Sequence, residues 1–211
     1  MGVQEQIHDH THLYAPGAVY ACVKRAMDLT VAIILLATSA PVLVVAAVAI
    51  KLSSPGPVFF RQHRLGRHGK PFTILKLRTM HVSQASATEW AAASRLELKS
   101  VGSITAVGRL LRRLSVDELP QLWNVIRGQM SVVGPRPHSL NPSEREFLEN
   151  PWRLAMRPGL TNLWAVSGRA SLTRAEELAL DRSYLERRSL VLDMKILLKT
   201  PMAIIGGHGA G

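Results

Sequence analysis

The stretch LTVAIILLATSAPVLVVAAVAI, Leu29 to Ile50, runs for 22 residues without a charged side chain. A helix needs about 20 apolar residues to cross a hydrocarbon core, so a membrane segment is the first reading and a buried core helix the second. Two details argue against a plain crossing. Pro41 sits near the middle, just after Ser39 and Ala40, and a mid-helix proline removes a backbone hydrogen bond. Both flanks are basic, with Lys24 and Arg25 before and Lys51 and Arg61 after, so neither end prefers the far side of the membrane. The expected form is a re-entrant helix-break-helix. Ser39 and Pro41 mark its break, and the Ser39 hydroxyl is available to a carbonyl that Pro41 leaves unbonded.

Outward from that segment the chain stays basic. Its formal charge is +11 and its pI about 10.7, which calls for an anionic partner. Leu29 to Thr88 holds no Asp or Glu, yet includes Lys51, Arg61, Arg64, Arg67, Lys70, Lys76 and Arg78. Aromatic residues are 5% of the chain, too few for base stacking, so nucleic acid is not the expected partner. A lone cysteine, Cys22, excludes an internal disulfide and fits a reducing compartment. No cleavable signal peptide is expected, because a polar, His-bearing tail precedes the first apolar run. The 211 residues suffice for one domain with its own core.

Four parts are expected: a flexible tail over 1–19, the re-entrant helix over 20–52, a globular domain over 53–205, and a short tail over 206–211. His8, His10 and His12 have metal-binding spacing, but a solvated tail is the reading taken. VFFRQHRLG and KPFTILKLRTM read as two strands around the turn Gly66-Arg67-His68-Gly69. On the second strand, period two sets Phe72, Ile74, Lys76 and Arg78 on one face, where two cations can grip a phosphate or simply face water. Residues 82–103 read as a short helix. From Ile104 a stripe of Val107, Leu110, Leu111 and Leu114 leaves Arg109, Arg112 and Arg113 outside it. Beyond Asn141 the pattern is helical, with turns at Arg157-Pro158-Gly159 and Ser167-Gly168. The final LVLDMKILLKTPMAIIG suits a helix in the membrane interface. No internal repeat is present. The class is mainly α with a small β-hairpin.

Within this basic chain Asp117 and Glu118 stand together in SVDELPQLWN. Ser115-Val116-Asp117-Glu118 matches the S-x-x-E capping box, which by itself explains Ser115 and one carboxylate. A functional reading uses the same geometry, since a carboxylate at a helix start beside cations is held ionised. Neighbouring residues on a helix point about 100° apart, so the two acids would divide labour rather than share a proton. A carboxylate nearing a pyrophosphate meets repulsion of roughly 4 kcal/mol per charge pair at 4 Å and an effective dielectric near 20. Arginine forks and a hard cation such as Mg2+, held by Asp117 and Glu118 with substrate phosphates, would offset it. Arg136 in GPRP lies between two prolines that fix its backbone, although an ordinary rigid turn needs the same residues.

These blocks together resemble the monotopic phosphoglycosyl transferases, the bacterial sugar transferase family. The resemblance runs from about Tyr20 to Ile204 through KRAMDL, FFRQHRLG–GKPF–KLRTM, RRLSVDELPQLWNVIRGQMSVVGPRP, RPGLTNLWAVSGR and LDRSYLERRSLVLDMKIL. It implies a cytoplasmic domain anchored on the bacterial inner membrane by the Ser/Pro-broken helix, with interfacial helices. Its substrates would be a UDP-sugar and polyprenol phosphate, with Mg2+ as cofactor and membrane lipids as partners. Carried over, Asp117 is the nucleophile that forms a phosphosugar-aspartyl intermediate and releases UMP, and Glu118 assists. Arg112 and Arg136 match phosphate-contacting positions, Arg169 one near the nucleotide, and Lys76 and Arg78 the basic strand. The form resembled is the minimal one, without a multi-spanning N-terminal region. Two positions depart from the family's wording: Asn162 stands where Gly is common and Ala165 where Gln is common. Two other functions fit parts of the pattern: a glycosyltransferase that releases UDP, and a basic lipid-binding protein without catalysis.

Overall fold

In the computed structural model, which describes residues 16–81, 103–139, 150–168 and 172–206, the apolar stretch belongs to one helix, α1, Ala18–Ser53. The His8, His10 and His12 tract, nearly all of the helix expected over 82–103, and Arg169 lie outside those residues. At 36 residues α1 is about 54 Å long, well beyond the ~30 Å of a hydrocarbon core. Only 11% of its most apolar window is buried, which decides against a core helix. Ile33, Ile34, Val44, Val45 and Val48 all point outward. The helix continues through Ser39 and Pro41, so the expected break is not a gap in secondary structure. The Ser39 hydroxyl donates to the Leu36 carbonyl at 3.3 Å rather than to that of Ala37, which the missing Pro41 N–H leaves without its helical partner.

A narrow inner stripe of α1, spaced by three to four residues, lies along the globular part. Ala32 packs with Phe72, Ile74, Leu122, Val125, Met130 and Val132, and Ala46 and Ile50 pack with Leu77 and Leu111. Near the start of α1, Arg25 donates to the carbonyls of Val125 (2.7 Å) and Ile126 (2.9 Å), at the end of a short helix. At the other end Arg78 donates to the carbonyls of Ser54 (2.8 Å), Ile50 (3.5 Å) and Pro55. Cations suit the carbonyl-rich end of a helix. This corrects the expected placement of Arg78: it is 3% exposed and clamps the end of α1 instead of sharing an open strand face with Lys76.

The hairpin is present as β1, Phe59–Leu65, and β2, Pro71–Leu77, antiparallel, with Phe59 opposite Leu77 and Leu65 opposite Pro71. Its turn closes through His68 and Gly69, both at positive φ (59° and 70°). Helix α2, Ala106–Arg113, is capped by the Thr105 hydroxyl, which accepts from Gly108 N at 2.8 Å. A Cβ on Gly108 would lie 2.0 Å from the Thr79 carbonyl oxygen, so glycine alone lets α2 approach the end of β2. A 3-10 turn, Val116–Gln121, leads into α3, Leu122–Ile126. Strand β3, Ser131–Val133, pairs in parallel with β5, Gly159–Thr161, while β4, His138–Ser139, adds an antiparallel edge to β1. Between them lies the 3-10 segment Pro151–Ala155, and Trp164–Val166 is a further 3-10 turn.

Two helices close the chain. In α4, Arg174–Arg187, Thr173 and Glu176 form a reciprocal capping box. Helix α5, Leu190–Ile205, buries Asp193 and Ile196 and leaves Val191, Met194, Leu198, Met202 and Ile205 exposed at helical spacing. A buried polar network joins both ends of the sequence. Lys24 Nζ lies 2.7 Å from Asp28 Oδ1 and 3.4 Å from Asp193 Oδ2. The same Asp28 oxygen accepts from Ser131 Oγ (3.0 Å) and Val132 N (3.1 Å), and Asp193 accepts from the Tyr184 hydroxyl at 2.7 Å. Of the basic residues read as an orientation signal, Lys24 is thus held inside the protein, while Lys51 and Arg61 stay exposed.

Candidate active site

The 3-10 turn that carries the acid pair begins differently from a capping box. Ser115 is left-handed (φ 53°, ψ 22°) and its side chain makes no capping bond to the turn. Helix α2 ends at Arg113, and the left-handed Ser115 separates it from the 3-10 turn. Pro120 is accommodated within the turn, which with α3 replaces the single longer helix expected here.

The turn packs against β2, and Asn124 fixes that contact. Its Oδ1 accepts from Leu75 N at 3.2 Å, while its Nδ2 donates to the Thr73 carbonyl at 2.7 Å and to Gln129 Oε1 at 2.8 Å. Asn124 is 3% exposed. Sequence reasoning passed over it, although an amide between the apolar residues of QLWNVI is the kind of buried polar group that needs partners. This register brings Lys76 Nζ within 2.6 Å of Glu118 Oε1. Arg112 is held by Thr79, whose hydroxyl accepts from its Nε at 2.9 Å.

Asp117 is the buried member of the pair, at 8% exposure, and Glu118 the more open one. Burial pushes the Asp117 carboxyl up, the Glu118 charge adds to this, and Lys76 and Arg112 pull it back in part, leaving it at about 6. Lys76, Arg112, Asp117 and Glu118 therefore form one electrostatic group. Two other expected residues make different contacts. Arg78 clamps α1, and Arg136 lies with its guanidinium carbon 5.5 Å from the ring centre of Trp164.

Asp117 and Glu118 are the residues that would hold a hard divalent cation, although Glu118 already pairs with Lys76. Two carboxylates sit on consecutive residues, and the raised Asp117 carboxyl is relieved by added positive charge. Among the described residues no group of three or more His, Cys, Asp or Glu converges, so substrate phosphates would complete the shell of an ion such as Mg2+. At the departures from the family's wording, Asn162 Oδ1 accepts from Ala165 N at 2.8 Å. The Asn162 amide caps the Trp164–Val166 turn.

Comparison with known proteins agrees with the sequence blocks. The family described as Bacterial sugar transferase matches residues 19–207. A "UDP-glucose:undecaprenyl-phosphate glucose-1-phosphate transferase" of Caulobacter vibrioides is 45% identical over 190 residues, covering 86% of this chain and 69% of that protein. The "Exopolysaccharide production protein ExoY" of Rhizobium meliloti is 37% identical over 199 residues, 89% of this chain and 87% of that one. A "UDP-N-acetylgalactosamine-undecaprenyl-phosphate N-acetylgalactosaminephosphotransferase" of Aeromonas hydrophila is 35% identical, over 96% of this chain and 49% of its own length.

Proposed function

The chain belongs to the bacterial sugar transferase family, and from that membership we propose that it transfers a sugar-1-phosphate from a UDP-sugar to undecaprenyl phosphate. It is a phosphoglycosyl transferase, and the relatives' names support exopolysaccharide assembly as its setting. The observation that carries the reaction is Asp117: a desolvated carboxylate flanked by Lys76, Arg112 and Glu118 on a turn fixed to β2.

An Asp117 oxygen attacks the β-phosphorus, the bond to the bridging oxygen breaks, and UMP departs with that electron pair. An oxygen of undecaprenyl phosphate then attacks the aspartyl phosphosugar and restores the Asp117 carboxylate. Arg112 and Lys76 draw negative charge toward the acid pair, and Arg136 grips donor phosphate bidentately. Arg169 is assigned to the nucleotide on sequence grounds. Mg2+, when bound by Asp117 and Glu118 with the substrate phosphates, supplies charge neutralisation at the pyrophosphate. Glu118 orients the attacking groups beside it.

The test is the nucleotide product. In phospholipid nanodiscs with UDP-glucose, Mg2+ and undecaprenyl phosphate, UMP is expected. UDP would mean that the sugar moves without its phosphate. No nucleotide from UDP-glucose, UDP-galactose or UDP-N-acetylgalactosamine would favour a non-catalytic lipid-binding protein.

We also propose that α1 re-enters the cytoplasmic leaflet with the globular part on the cytoplasmic face. Support comes from the two ends of α1, which the same globular part grips through Arg25 and Arg78, and from the exposed apolar stripe of α5. Leu114 and Trp123, about 45–48% exposed on either side of the acid turn, suit a site at the lipid surface. In a Cys22→Ser background, cysteines at Val19 and Leu52 should both react with an impermeant maleimide from the cytoplasmic side. Labelling from opposite sides would show a crossing helix.

A further inference from the structure

The segment Gly134-Pro135-Arg136 is held more firmly than its two prolines require. Gly134 N donates to the Thr161 carbonyl at 3.1 Å, and the Pro135 carbonyl accepts from Gly159 N at 2.8 Å. A Cβ on Gly159 would come within 2.1 Å of Gly134 N, so the two strands meet at van der Waals limits. One residue on, the Arg136 carbonyl accepts from Arg153 Nη2 at 3.3 Å. Arg153 is itself fixed by Asp181 at 2.7 Å, with both side chains 2% exposed or less. At its far end the Arg136 guanidinium lies over Trp164, a buried indole on the turn that Asn162 caps. A flexible arginine is thus restrained at its carbonyl and at its head by residues from three separate segments.

We propose that Trp164, Arg153 and Asp181 are positioning residues that fix Arg136 for the donor phosphates, Trp164 by presenting its face to the guanidinium and the ion pair by holding the backbone. The inference rests on the phosphate role given to Arg136 above. Asn162 belongs to the same device. Its side-chain oxygen, where Gly is common, accepts from Ala165 N and secures the turn that carries Trp164.

The experiment is a double-mutant cycle on the full-length protein in nanodiscs, reading kcat and KM for UDP-glucose by UMP release. Trp164→Leu should lower kcat/KM about tenfold, and Trp164→Phe, which keeps an aromatic face, should recover most of it. In an Arg136→Ala background Trp164→Leu should add less than about twofold. A loss that multiplies with that of Arg136→Ala would overturn the positioning role and leave the Arg136 reading standing. Wild-type kcat/KM in Arg136→Ala alone would overturn the phosphate reading, and the inference with it. Should Trp164→Leu fail to fold, Asp181→Asn, similar in shape, goes through the same cycle with the same expectations.

Discussion

Asp117→Asn lowers UMP release by at least about 10^4-fold, because it removes the attacking oxygen's charge while keeping its shape. The fold should survive. The ordinary carboxyl value is 3.8 and the folded one about 6, so above pH 6 the native state carries an ionised group that burial disfavours. A neutral amide removes that cost, and the thermal midpoint at pH 7.5 should not fall. Intact-mass measurement without the lipid acceptor supplies the second reading: wild type gains one sugar phosphate and Asp117→Asn none. Retention of more than a tenth of the rate would take the nucleophile's role away from Asp117. The same carboxylate sets the pH profile. The attacking form is lost as pH falls through about 6, so kcat/KM should drop about tenfold per unit below that point. Glu118→Gln removes a charge that raises this value and should move the break downward; Lys76→Met should move it upward.

Asp28→Ala is expected to cost about 3–5 kcal/mol of stability. The carboxylate is 1% exposed and accepts from Lys24, Ser131 Oγ and Val132 N. Its loss leaves the Lys24 ammonium and the Val132 N–H buried with less to bond, while the Ser131 hydroxyl keeps the Val133 carbonyl at 2.8 Å. Asp193 is a poor substitute, because it lies farther from Lys24, at 3.4 Å, and burial already pushes its carboxyl up. Unfolding in detergent micelles, followed by circular dichroism against denaturant, measures the loss. Lys24→Met in the Asp28→Ala background should recover part of it by removing the orphaned charge. A loss below about 1 kcal/mol would mean that the network is solvated in practice.

Local pattern made several elements legible. Alternation and a glycine-bounded turn found β1 and β2, and an apolar run found the helix α5. The stripe on α2 was read correctly in period but not in depth, since Leu111 is buried while Leu110 and Leu114 are exposed. Other residues were misread because their partners are far away in sequence. Period two placed Arg78 beside Lys76, but the strand ends at Leu77 and carbonyls 24 and 28 residues earlier claim its guanidinium. Ser115 matched a capping box in spelling, yet the box forms at Thr173 and Glu176, where extended backbone precedes the helix. At Ser115 the backbone is left-handed instead of extended, and no capping bond forms to the turn. Of the candidate site, Asp117, Glu118, Lys76 and Arg112 were each legible as candidates, whereas their grouping, and Asn124, Thr79, Arg153 and Trp164, became visible only through contacts between distant segments.

The Lys24–Asp28–Asp193 network also sets an order of events during synthesis. Lys24 and Asp28 leave the ribosome early and already face one another one helical turn apart. Asp193 follows 169 residues after Lys24, a wait on the order of 10–30 s at ordinary elongation rates. Through that interval Asp28 offsets the charge of Lys24, leaving the single positive charge of Arg25 on this part of α1 as it meets lipid. The later helix α5 then supplies Asp193, and with it a contact that ties α5 to α1.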